Sequence, residues 1–133
     1  MPARVLDSFA LIAYFRDEPG AEAIEQLLVS ASKKDSPLHM SDVNYAEVKY
    51  SIVKKDGAAA WAEAAKVLEG LPIDFHSTTR ALADSAADFK ARFKLSFADA
   101  FAAALAREKK AELVTGDPEL KPLDQEIKIH WLK

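Results

Sequence analysis

The pattern of apolar and polar positions changes period several times along the chain, and each change marks an element. "ARVLD" (3–7) is an apolar run of strand length closed by an acid, and "SFALIAYFRDE" continues it as a helix. In "GAEAIEQLLVSASKK", Ala23, Leu27 and Leu28 recur at helical spacing. "PLHMS" (37–41) reads as a second strand and "DVNYAEVKYSIVKK" (42–55) as a helix started by Ser41 or Asp42. Gly57 breaks that pattern before an alanine-rich helix that runs to about Glu69. "LPIDFH" (71–76) predicts a third strand, "TTRALADSAADFKARF" and "SFADAFAAALAREKK" two further helices, and "AELVTGD" and "EIKIHWL" the last strands. Strands separated by helices of this length pair in parallel through crossovers, so the expected architecture is an α/β sheet covered on both faces. No linker or repeat interrupts the pattern, and residues 1–133 are expected to form one domain.

Composition narrows the chemistry. The chain has no cysteine, which excludes disulfides, thiolate nucleophiles and cysteine-built zinc sites. "MPARVLDSFALIAYF" has an early acid and no following small-residue cleavage site, so it does not read as a signal peptide. No apolar run reaches the roughly 20 residues that span a bilayer, and the expectation is a cytoplasmic protein without a membrane. A net charge of -3 argues against nucleic-acid binding by bulk electrostatics. The four glycines assemble neither a P-loop nor a dinucleotide fingerprint. A phosphatase with a strand-end Asp nucleophile would want a second Asp two residues after Asp7, where Phe9 stands. His39, His76 and His130 are scattered without a metal-binding spacing and are expected to be ordinary core or surface residues.

Four acids occupy positions where an open parallel sheet binds ligands, beyond the carboxyl ends of its strands. Asp7 closes the first strand and Asp117 the fourth, in "LVTGDPEL". Glu47 lies on the helix after the second strand, with Val43, Tyr50 and Ser51 as helical neighbours. Asp99 lies early in the alanine-rich helix, where Ala102, Ala103 and Ala106 would allow close approach to the sheet. Each acid also has a local reading: Asp7 and Asp117 as N-caps, Asp99 in a capping box with Ser96, and Glu47 as a partly exposed helix residue. Four caps do not explain why the acids recur in one strand-helix order.

"VLDSFALIAYF", "SDVNYAEV", "LSFADAFAAALA" and "VTGDPEL" resemble the successive acidic motifs of PIN-domain ribonucleases, particularly the VapC-type toxins of bacterial toxin-antitoxin pairs. The resemblance implies a three-layer α/β/α domain around a central, mainly parallel sheet. It implies that Asp7, Glu47, Asp99 and Asp117 are catalytic, with Asp7, Asp99 and Asp117 holding Mg²⁺ or Mn²⁺. It further implies endonucleolytic cleavage of RNA to a 3′-hydroxyl and a 5′-phosphate, a homodimer, and a cognate antitoxin as partner. The electrostatics agree: two negative charges about 4 Å apart repel by about 4 kcal/mol at an effective dielectric of 20, and oxygen-only ligands suit a hard divalent ion.

Ser8 and Thr115 are candidate hydroxyls for orienting a carboxylate or water, with local capping as the other use. Arg92 and Lys94 are candidate RNA phosphate contacts just ahead of Asp99, with Lys49 and Lys54 weaker, whereas Phe93 and Phe97 are expected in the core. A PIN-like RNA-processing nuclease without a toxin role and a non-enzymatic, metal-stabilised interaction protein remain the alternative functions.

Overall fold

The computed structural model describes residues 2–132. Five strands, β1 (Arg4–Leu6), β2 (Leu38–Ser41), β3 (Ile73–His76), β4 (Glu112–Thr115) and β5 (Ile129–Trp131), form one sheet in the order β3-β2-β1-β4-β5. Every neighbouring pair is parallel. The connections are α1 (Ser8–Phe15) and α2 (Ala21–Lys33), α3 (Asp42–Asp56) and α4 (Ala58–Glu69), α5 (Arg80–Arg92) and α6 (Phe97–Lys109), then a 3-10 helix, Pro118–Gln125, before β5. The predicted elements are all present; most are trimmed by a few residues at their ends, whereas α3 runs one residue further, to Asp56, and α4 ends at Glu69 as expected. The expected α/β/α architecture is therefore the observed one.

Alternation along the strands builds two cores. Val5 and Leu113, cross-strand partners, enter one core with Leu82, Phe89, Leu105, Leu120 and Ile127. Leu6 and Val114, the next pair in register, point the opposite way, toward Ile24, Leu28, Met40, Val48 and Trp61. α6 serves the first core and is built for proximity: Ala100, Ala102, Ala103, Ala104 and Ala106 are all buried. On α2 the buried stripe is Ile24, Leu28 and Ala31, so the stripe anticipated from Ala23, Leu27 and Leu28 is rotated by one position. Gly57 ends α3 and begins α4 at φ 97°, a left-handed turn that favours a residue without Cβ.

Strand order fixes where the site must lie. The crossover after β1 leads to β2 on one side, and the connection after β4 leads to β5 on the other. The switch in direction falls between β1 and β4, and their carboxyl ends deliver Asp7 and Asp117 to the crevice it leaves.

Candidate active site

Local capping positions three of the four acids. Asp7 is the N-cap of α1: its Oδ1 accepts from the Ala10 amide at 2.8 Å, and Thr115 Oγ1 donates to its other oxygen. Asp117 is the N-cap of the 3-10 helix, where Pro118 opens the first turn and the Glu119 amide donates to Asp117 Oδ1 at 3.0 Å. Thr115 Oγ1 also accepts from the Asp117 amide at 3.0 Å, so one hydroxyl ties the ends of β1 and β4 together. Asp99 stands in the first turn of α6, with its amide donating to the Ser96 N-cap at 3.1 Å.

A cleft of about 380 Å³ opens above these termini, walled by Ser8, Phe9 and Ile12 of α1, Glu47, Tyr50 and Ser51 of α3, Ser96 and Asp99 at the start of α6, and Asp117 and Glu119. Carboxylate oxygens of Asp99, Asp117 and Glu119 lie within 4.8 Å of one another. Glu119 was missing from the sequence reading. Its only signal is its place two residues after Asp117, where a 3-10 turn brings it back toward the same crevice. Asp7 lies deeper, 1 % exposed against 9 % for Asp99.

The electrostatics show what this crowding costs. Burial pushes the Asp7 carboxyl up to about 7, against the hydrogen bonds from Thr115 and Ala10, and the charges of Asp99 and Asp117 add to the rise. Burial also raises Asp99 to about 6; Asp117, Glu47 and Glu119 push the same way, and a hydrogen bond from Ser96 opposes them. Desolvation and like charge both penalise ionisation, and a cation among the oxygens relieves both. The donor set is all oxygen, which fits Mg²⁺ or Mn²⁺.

The remaining candidates divide. Ser8 does not reach a carboxylate; its hydroxyl accepts from Asn44 Nδ2 at 2.9 Å. Asn44, fully buried, also donates to the Ala98 carbonyl at 3.0 Å and accepts from Ser41, so it joins α1, α3 and α6 beneath the cleft. The sequence hinted at it only as the third residue after a Ser N-cap. Arg92 is engaged elsewhere: its guanidinium meets both oxygens of Glu126, a carboxylate that also takes Arg107, and it does not line the cleft. Lys94 is exposed in the loop before α6 and does not line it either. Phe93 packs on the core as expected, but Phe97 does not and is 58 % exposed. His39 and His76 are brought together on adjacent strands, Nδ1 to Nε2 2.8 Å, a pairing that chain spacing concealed.

A parallel sheet whose switch point is crowned by carboxylates presents an all-oxygen donor set where open α/β sheets bind their ligands. The PIN domain family model matches residues 4–126, and the chain belongs to that family. Solved structures share the fold at low identity. VapBC2 from Rickettsia felis, bound to a DNA fragment from its promoter, aligns with a TM-score of 0.78 and 14% identity over 98% of this chain and 99% of that one. DNA-bound VapBC from Salmonella typhimurium gives 0.76 and 16%, over 98% of each chain. Mycobacterium tuberculosis VapC20, a sarcin-ricin loop cleaving toxin, gives 0.73 and 16%, over 94% of this chain and 96% of that one. By sequence, the chain matches none of the curated proteins compared.

Proposed function

We propose that the protein is a divalent-metal-dependent endoribonuclease and the toxin of a toxin-antitoxin pair. The observation that carries this reading is the convergence of Asp99, Asp117 and Glu119 oxygens within 4.8 Å at the sheet's switch point, where buried Asp7 feels the charges of Asp99 and Asp117. Membership of the PIN family supports the nuclease assignment, and the likeness to toxin-antitoxin complexes and to a toxin that cleaves the sarcin-ricin loop supports RNA as substrate and an antitoxin as partner. A homodimer is part of the same proposal.

Asp99, Asp117 and Glu119 would hold Mg²⁺ or Mn²⁺, with Asp7 beneath them contributing charge and, through its free lone pairs, a further oxygen. When bound, the ion lowers the pKa of a water and neutralises charge that grows on the scissile phosphate. Glu47, which also lines the cleft, would orient the attacking water and accept its proton. Thr115 holds Asp7 in one orientation and keeps the Asp117 turn against β1, so the carboxylates are set before substrate arrives. Phe9 and Ile12 supply the apolar part of the wall and limit water around the reacting phosphate.

The test compares wild type with Asp7→Asn and Asp99→Asn on a panel of structured RNAs, after chelation and again with Mg²⁺ or Mn²⁺ restored. Discrete cuts that return with metal and are absent from both folded variants support the proposal. Equal cutting by all three proteins points to contamination. Metal binding without cleavage of any RNA favours a non-enzymatic interaction protein.

A further inference from the structure

The cleft carries more than carboxylates. Tyr50 is 61 % exposed and Phe97 58 %, the two most exposed large apolar residues among those described. Tyr50 lines the cleft one helical turn beyond Glu47, and Phe97 adjoins Ser96 at its edge. Each ring has its own lysine. Lys54 Nζ donates to the Tyr50 hydroxyl at 3.0 Å and lies 5.4 Å from the ring centre. Lys90 Nζ donates to the Leu95 carbonyl at 2.7 Å and lies 4.9 Å from the centre of Phe97. Each ammonium spends one of its donors in holding this place and keeps others for a ligand.

We propose that Tyr50 with Lys54 and Phe97 with Lys90 are two nucleotide-binding units that select unpaired RNA, each stacking a base on the ring and receiving a phosphate on the lysine. The inference rests on the ribonuclease reading of the same cleft. A flat ring beside an ammonium provides both contacts at one point, and a base reaches the ring's face only when it is not stacked in a duplex. The lysines also supply local positive charge that an acidic chain lacks overall. Protein docking fits less well. Of the exposed aliphatic side chains that a partner helix would use, Val29 and Val67 lie on α2 and α4 and Val53 on α3, and none of the three walls this cleft.

The test is binding rather than cleavage, made in an Asp99→Asn background so that RNA survives. A short fluorescein-labelled, unstructured RNA and the same sequence as a duplex are titrated by anisotropy in the presence of Mg²⁺. Single-stranded RNA should bind more tightly than duplex. Tyr50→Leu and Phe97→Leu, which keep apolar bulk and remove the ring, should each weaken it about tenfold or more. Tyr50→Phe, which keeps the ring and removes only the hydroxyl that holds Lys54, should bind more tightly than Tyr50→Leu, and Lys54→Gln should lower the slope of log affinity against log salt by about 0.7. Parental affinity in both leucine variants, or equal affinity for duplex, overturns the inference while leaving the nuclease reading intact if wild type still cuts RNA with metal. Loss of both RNA binding and metal-restored cutting in wild type removes the two together.

Discussion

Gly116 shows how one residue's chemistry can be set by a neighbour far away in sequence. A Cβ added there would stand 2.5 Å from Phe9 Cε1, so the ring of Phe9 lies directly over the glycine at the end of β4. Phe9 is 40 % exposed and lines the cleft, which makes the glycine a seat for an aromatic wall rather than a turn requirement. Gly116→Ala is expected to cost about 1 to 3 kcal/mol by overpacking and to disturb cleavage. Adding Phe9→Ala should recover part of that stability, because the clash is then gone; thermal melts of the two single variants and the double variant measure the coupling.

Asp7 carries a second residue-scale prediction. A carboxyl raised from 3.8 to about 7 on folding makes the folded state bind an extra proton across that window. Without metal, its contribution to stability is therefore full at low pH and declines as pH rises toward 7, by up to about 4 kcal/mol in total. Asp99, raised to about 6, acts in the same direction. His39, lowered from 6.5 by burial and by His76, works against both on the acid side of 6.5, so the informative quantity is a difference between proteins. Wild type should lose stability relative to Asp7→Asn between about pH 4 and 7. Parallel pH profiles for the two would show that Asp7 ionises freely.

Among the elements, α6 and α3 decide whether the site exists. α6 brings Asp99 in on a helix whose sheet-facing residues are alanines, and Asn44 stitches its first turn to α1 and α3. Asn44→Ala would leave the Ala98 carbonyl and the Ser41 hydroxyl without their buried partner, at an expected cost of about 3 kcal/mol. Activity should fall further than stability explains, since Asp99 is positioned by the same turn; comparing melts with cleavage at a temperature where the variant is folded separates the two. The capping residues were legible because a cap is a local arrangement: Ser41, Ser96, Asp7 and Asp117 all cap as their side chains and spacing suggest. Arg92 and Phe97 were not. Their roles depend on Glu126, 34 residues away from Arg92, and on which face of α6 meets the core, since Ala98 and Ala100 are buried beside exposed Phe97.

At the scale of the whole molecule, folding gathers carboxylates from four separate stretches into one cleft, and the stored repulsion should appear as metal-dependent stability. Mg²⁺ or Mn²⁺ is expected to raise the melting temperature, more at pH 8 than at pH 5, because protons compete for the same oxygens below about 6 to 7. Asp99→Asn should abolish most of that shift. An equal shift in wild type and variant would place the ion elsewhere. Among the described residues no helix is long and apolar enough to cross a membrane.

What the sequence determined by itself was the order of elements, the parallel sheet and three strand-end or helix-start acids with their caps. Those follow from periodicity and from contacts only a few residues long. Tertiary structure alone decided that Glu119 turns back to Asp99 and Asp117, that Asp7 lies buried beneath them, that Arg92 faces Glu126, and that Tyr50 and Phe97 stay open beside the cleft. Each of those depends on distances between elements remote in the chain, and such distances are settled by how the two cores pack against the sheet.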